Sequence, residues 1–247
     1  MKSTFRLTVL FASGIAGAAF GESAVQFQNL SFEAGPTMPL VNDDPSGYVR
    51  FSIGKVMPGW SAYLDSSPLT LVGYNNYFLS SAGVSLFGPP PGSNPFPNSI
   101  MEGSFTAFLQ SGHGLGLDEA EIYSASLGQM GLVPPAAASV QMKIVSYGPF
   151  SVFLGGQKVE MVSLERGPNY TLYGGDVSSF AGQVAELRIT SDLFFSPTIG
   201  GFSQLSLDSI EFSPQVVPEP STWVLLGLGG LGIAMFCRRT GPRRTED

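Results

Sequence analysis

The 247-residue chain has one cysteine, one histidine and two tryptophans. The cysteine, Cys237, lies in the C-terminal tail, so residues 22–217 form no disulfide among themselves. Their stability has to come from a packed core. One histidine, His113, is too few for the usual zinc site, which needs several convergent ligands. It stands in Ser111-Gly112-His113-Gly114, with Asp118, Glu119 and Glu121 close behind. No G-x-S-x-G elbow and no cysteine of the body supplies a nucleophile. A two-carboxylate glycosidase is not excluded by number, yet no pair is singled out by its setting. No enzymatic activity is expected. Basic residues are scarce as well: between Glu22 and Val217 there are 16 acidic and 6 basic side chains, a net charge of −10. Such a body offers nucleic acid phosphates no basic stripe. Long 3.6-residue apolar patterns are also missing, which removes a helical bundle.

Glycine and proline are abundant, with 31 and 19 residues, and runs rich in Phe, Val, Ser and Tyr lie between them. This composition predicts many short strands joined by Gly/Pro turns, hence an all-β, antiparallel β-sandwich. The expected strands are Val25–Phe32, Tyr48–Ile53, Ser104–Gln110, Ile122–Leu127, Val140–Ser146, Phe150–Leu154, Lys158–Ser163, Val184–Thr190 and Leu205–Phe212. Ala185, Leu187 and Ile189 alternate with Glu186, Arg188 and Thr190, one face inward and one outward. Phe150, Val152 and Leu154 alternate likewise, and Gly155-Gly156 supplies a hairpin turn. Gly88–Asn98 carries too many prolines for a sheet and predicts a surface loop within one domain.

The two ends read as targeting segments. Lys2 and Arg6 precede an apolar run from Leu7 to Phe20 that ends in Ala19-Phe20-Gly21. This is the layout of a signal peptide over residues 1–21, cleaved before Glu22 or, alternatively, after Ala18 or Ala24. It implies passage through the Sec translocon. At the other end, Ser221–Cys237 is an apolar run followed by Arg238, Arg239, Arg243 and Arg244. Seventeen helical residues reach about 26 Å, slightly short of a bilayer's hydrocarbon core. Snorkelling of the arginine stems extends the span, and the positive-inside rule puts those arginines in the cytoplasm. The expected organisation is therefore residues 1–21 signal peptide, 22–216 β-sandwich ectodomain and 217–247 tail, with a single transmembrane helix over 221–237.

Val217-Pro218-Glu219-Pro220-Ser221, a short Gly-rich span and the arginine cluster together resemble the PEP-CTERM sorting signal of Gram-negative bacteria. That resemblance implies recognition by an exosortase, a membrane thiol protease, with cleavage near the triplet. It also implies export across the inner membrane to the envelope or an exopolysaccharide matrix. The triplet is then a substrate site, and the chain is membrane-anchored before processing.

The body resembles galactose-binding-like and carbohydrate-binding-module jelly rolls. Asn29-Leu30-Ser31-Phe32-Glu33 with Pro58-Gly59-Trp60 is similar to their opening. Asp176–Gln183 before Val184–Thr190 is similar to their late turn and strand, and Leu207-Asp208-Ser209-Ile210-Glu211-Phe212 to their closing strand. The resemblance implies a structural calcium joining first and last strands, at Glu33 and Asp208. Ser209 stands where a second acid is common in that strand. Asp208 shares strand parity with Ile210 and Phe212, so it points inward if they do, and a buried carboxylate needs a cation or several donors. Backbone N–H groups, Arg50 or Arg188 are the alternative partners. Glycan binding requires aromatic platforms, and the candidates are Trp60, Tyr63, Tyr74 and Tyr77. For Trp60 the competing expectation is a core position, and for Tyr74-Asn75-Asn76-Tyr77 a polar turn. Two functions compete: a carbohydrate- or matrix-binding module, and a structural or adhesive surface protein without a discrete ligand.

Overall fold

The computed structural model describes residues 25–46, 48–78, 81–89, 100–114, 121–194 and 202–217. The expected signal peptide 1–21, Pro218-Glu219-Pro220, the expected span 221–237 and Arg238, Arg239, Arg243 and Arg244 lie outside the described residues. Among the described residues no helix is long and apolar enough to cross a membrane.

Strands dominate. In chain order they are β1 Phe51–Ser52, β2 Ser61–Leu64, β3 Ser67–Leu69, β4 Leu71–Tyr74, β5 Gly83–Phe87, β6 Thr106–Gln110, β7 Gly112–His113 and β8 Ile122–Tyr123. There follow β9 Ala125–Leu132, β10 Ser139–Tyr147, β11 Phe150–Leu154, β12 Gln157–Val159, β13 Val162–Arg166, β14 Thr171–Asp176, β15 Val184–Ser191 and β16 Gln204–Ser213. Eight of them form one sheet in the order β1-β4-β5-β6-β16-β10-β14-β13, and six form another in the order β12-β11-β15-β9-β2-β3. Pairing is antiparallel except between β4 and β5. Leu86, Ala107, Leu109, Val140, Met142, Ile144, Leu205 and Leu207 of the first sheet pack against Ala62, Leu127, Val152, Leu154, Leu187 and Ile189 of the second. The body is thus a β-sandwich. Strands from both sides of residues 88–98 share each sheet.

β15 keeps the expected alternation, and β11 turns into β12 through Gly155 and Gly156, both left-handed. Three expectations are corrected. Residues 25–32 form no strand, only an isolated bridge from Gln26 to Leu132. Asn29 and Phe32 both adopt left-handed backbone, and the Phe32 N–H donates to the Asn29 carbonyl, closing a turn. Asparagine tolerates that conformation; for Phe32 its cost is offset by complete burial of the ring. Residues 158–163 are not one strand but the crossing from β12 in one sheet to β13 in the other. Finally, β2–β5 and β14 are strands where none was expected. Their glycines and Pro68 depress strand propensity, but Pro68 sits on the edge strand β3, where its missing N–H is harmless.

Candidate ligand-binding face and the carboxylate clasp

The structure separates the four candidate aromatics. Trp60 is 4% exposed, stacked on Phe32 with ring centroids 5.3 Å apart, and its indole N–H donates to the Asn29 carbonyl at 3.0 Å. It belongs to the core and presents no face to a sugar. The same contacts join the two pieces of the opening, since Asn29 Nδ2 also donates to the Pro58 carbonyl.

Tyr74 is half-buried against the core, and its hydroxyl donates to the Pro89 carbonyl at 2.8 Å. Burial pushes that phenol up to about 12. Asn75 bonds Gly88 in both directions, so its amide holds the chain rather than awaits hydroxyls. Tyr77 packs its ring on Phe87 and Phe108 in a small aromatic cluster with Phe78 and Ile100. Neither tyrosine is the exposed platform expected of it. The polar turn through Asn75, which is left-handed, is what this stretch forms.

Tyr63 differs. It lies on β2, on the outer face of the six-stranded sheet, diagonal to Arg188 of β15 across Gly128 of β9. The Arg188 guanidinium sits 4.0 Å from the Tyr63 ring centroid. A Cβ on Gly128 would lie 3.2 Å from the Tyr63 ring and 2.8 Å from a Glu186 carboxylate oxygen, so the missing side chain lets both settle on the sheet. Arg188 Nη2 donates to Glu186 at 2.9 Å, while its Nε is buried without a hydrogen-bond partner. Ser126, Thr190 and Ser151 share the next cross-strand row with Tyr63. The result is an aromatic ring, a guanidinium and a carboxylate on one sheet face. The alternation of β15 is the sequence signal that places Arg188 and Glu186 outward together.

Glu33 and Asp208 do come together, but as a clasp on the 100–106 segment. Glu33 accepts the Ser104 and Phe105 N–H groups. Asp208 accepts the Glu102 and Ser209 N–H groups and the Thr106 hydroxyl, at 3.3, 2.7 and 3.0 Å. Glu102 returns across the same gap to Ser209 and Lys143. Arg50 pairs with Asp44 and Arg188 with Glu186, so neither reaches Asp208.

The inward orientation of Asp208 is also corrected. Between Gln141 and Lys143 the β10–β16 register shifts, and Ser209 is left-handed. This bulge resets the parity: Leu205, Leu207 and Ile210 enter the inter-sheet core, whereas Asp208 joins the opposite face beside Thr106. It is 1% exposed there. Burial pushes its carboxyl up to about 6, with Glu33 adding to the rise and the three hydrogen bonds opposing it.

This arrangement does not fit a calcium ion. The carboxylate oxygens that would bind it already accept N–H and O–H donors. Among the described residues no three His, Cys, Asp or Glu side chains are grouped to hold a metal. Calcium or a chelator is therefore expected to move the melting temperature by less than about 1 °C. A rise of several degrees with calcium, in a thermal melt, would contradict this.

A cleft of about 230 Å³ opens elsewhere, walled by Leu64, Leu69, Leu71, Val72 and Val84 with Arg50 and Tyr123. None of Trp60, Tyr63, Tyr74 and Tyr77 lines it, and its described lining holds no carboxylate.

Residues 216–239 match the family described as PEP-CTERM protein-sorting motif. The chain thus pairs a β-sandwich body with a sorting motif that indicates an extracellular protein processed by an exosortase. No curated protein matches the sequence. Among solved structures, the chain is similar to a Stig cyclase, Fisc, from Fischerella sp. TAU in complex with (3Z)-3-(1-methyl-2-pyrrolidinylidene)-3H-indole. The identity is 15% over 76% of this chain and 98% of that one, with a TM-score of 0.34. It is also similar to a β-glucosidase from Kluyveromyces marxianus in complex with glucose, at 13% identity over 75% of this chain and 18% of that one, TM-score 0.26. Likeness at this level carries no functional argument.

Proposed function

We propose that this is a non-enzymatic, glycan-binding protein of the cell envelope or exopolysaccharide matrix, with a jelly-roll body. It crosses the inner membrane of a Gram-negative bacterium through the Sec translocon. An anchor at 221–237 holds it until an exosortase acts near Pro218-Glu219-Pro220. The observation that carries the binding reading is the Tyr63–Arg188–Glu186 group on the outer sheet face. A pyranose has hydroxyls for Arg188 and Glu186, and the Tyr63 ring, covered on one face by the guanidinium, holds Arg188 in place for them.

The test is binding of the exported protein to a polysaccharide panel that includes the host's own exopolysaccharide. Tyr63→Ala is expected to weaken binding on the order of 10-fold while leaving the fold intact, since the cation–π contact that holds Arg188 in place is lost. Trp60, Tyr74 and Tyr77 are not expected to contact the glycan. If no polysaccharide binds, or if Tyr63→Ala binds unchanged, the protein is a structural or adhesive coat component. That second reading is favoured by the separation of the other three aromatics, which converge on no common cleft.

A further inference from the structure

After β16 the chain does not leave the body at once. It turns over the outer face of the eight-stranded sheet, where Ser139 Oγ donates to the Gln215 carbonyl at 2.8 Å and the Gln215 N–H donates to Ser213 Oγ at 3.1 Å. Val216 then faces solvent, whereas Val217 is only 7% exposed. Val217 fills a socket on β14 and β13: a Cβ on Gly174 would lie 3.0 Å from Val217 Cγ2 and 2.7 Å from Leu164 Cδ1. The Gly174 backbone is not left-handed, so glycine serves there for space, not conformation.

The sorting motif starts at residue 216, so its first two residues belong to the folded body. Pro218-Glu219-Pro220 follows Val217 with no spacer, and the apolar run begins at Ser221. Four peptide steps separate Val217 from Ser221, a reach of at most about 14 Å. An enzyme that takes its substrate as an extended strand needs residues on both sides of the bond it cuts. With Val217 seated, the body holds the chain on the N-terminal side of the triplet.

We propose that the Gly174–Leu164 socket is a clamp on the processing site, and that exosortase acts on the fraction of chains in which Val217 has left it. This rests on the reading of the tail as an exosortase substrate. It adds no step to the cleavage; it sets how many chains are open to it. Val217 and Gly174 are positioning residues for that reaction.

The experiment is a pulse–chase of the full-length chain in cells carrying the exosortase, following loss of a C-terminal epitope. Gly174→Val fills the socket and Val217→Ala removes the anchor. A third form, with about eight Gly/Ser residues inserted between Val217 and Pro218, keeps the clamp but frees the triplet. All three are expected to be processed roughly 10–100-fold faster than wild type, the range set by releasing one buried valine. Gly174→Val combined with the insertion should give no further gain. Should Gly174→Val fail to fold, Val217→Ala and the insertion still decide the matter. Wild-type rates in these variants, with cleavage intact, overturn the clamp alone. Absence of cleavage in every form, the insertion included, overturns the processing reading and the clamp with it.

Discussion

Replacing Trp60 by alanine is expected to cost the body about 3–5 kcal/mol of stability, the usual range for removing a large buried aromatic. Three contributions combine. The indole loses its burial and its stack on Phe32. The Asn29 carbonyl loses the donor at 3.0 Å, although it keeps the Phe32 N–H. Phe32 itself, held in left-handed backbone, loses the neighbour that offsets the cost of that conformation. A domain of this size is stable by only about 5–15 kcal/mol, so one substitution removes a large share of the total. Trp60→Phe keeps most of the packing and drops only the indole donor, and should cost roughly 1–2 kcal/mol. Urea denaturation of the exported protein measures both. A loss under about 1 kcal/mol for Trp60→Ala, with the fold retained, would mean that the indole is not a core group.

The second large effect is on pH dependence. The Asp208 carboxyl titrates near 3.8 when unperturbed and is pushed up to about 6 in the folded protein. Above pH 6 the folded state carries a buried ionised carboxylate, and the protein is less stable for it. Between pH 6 and 4 the folded state binds a proton that the unfolded state does not, so stability rises as pH falls through that window. The gain is about 2–3 kcal/mol at most. Below pH 4 the trend reverses. The Arg50 hydrogen bond holds Asp44 down at about 2, and Lys55 and Lys143 depress Asp43 and Glu102. Those contributions are present above the ordinary carboxylate range and are lost as pH falls through the depressed values. The expected profile is a maximum near pH 4, unusually acidic for a folded domain. Asp208→Asn should abolish the rise between pH 6 and 4 while leaving the acid-side fall. Denaturation midpoints across pH 3–8 test it, and a wild-type curve that is flat or falling from pH 6 to 4.5 would refute the assignment.

Some of this was legible in the residues alone. The alternation in β15 and β11 fixed those strands, because period-two patterning with one buried face admits a single register. Gly155-Gly156 fixed the β11–β12 hairpin, since left-handed backbone costs glycine nothing. The triplet, the apolar run and the arginines marked the sorting motif, since such signals are read as local sequence. The pairing of Glu33 with Asp208 was also visible, through resemblance to jelly rolls at both ends of the body.

What the residues could not show depended on neighbours distant in the chain. Trp60 became core and Tyr63 surface although only three positions separate them, because Phe32 and Asn29 cover the first and Gly128 leaves room beside the second. The bulge at Ser209 reversed the face that strand parity assigned to Asp208, and only the β10–β16 register reveals it. Donors from the 102–106 segment, a hundred residues from Asp208 in sequence, bond the carboxylate for which the jelly-roll resemblance implied a cation. Gly174 leaves, by lacking a side chain, the socket that holds Val217, and no local pattern marks it as such. Local patterning reports what a segment prefers; which groups it meets, and so what its side chains can do, is decided only when distant segments pack together.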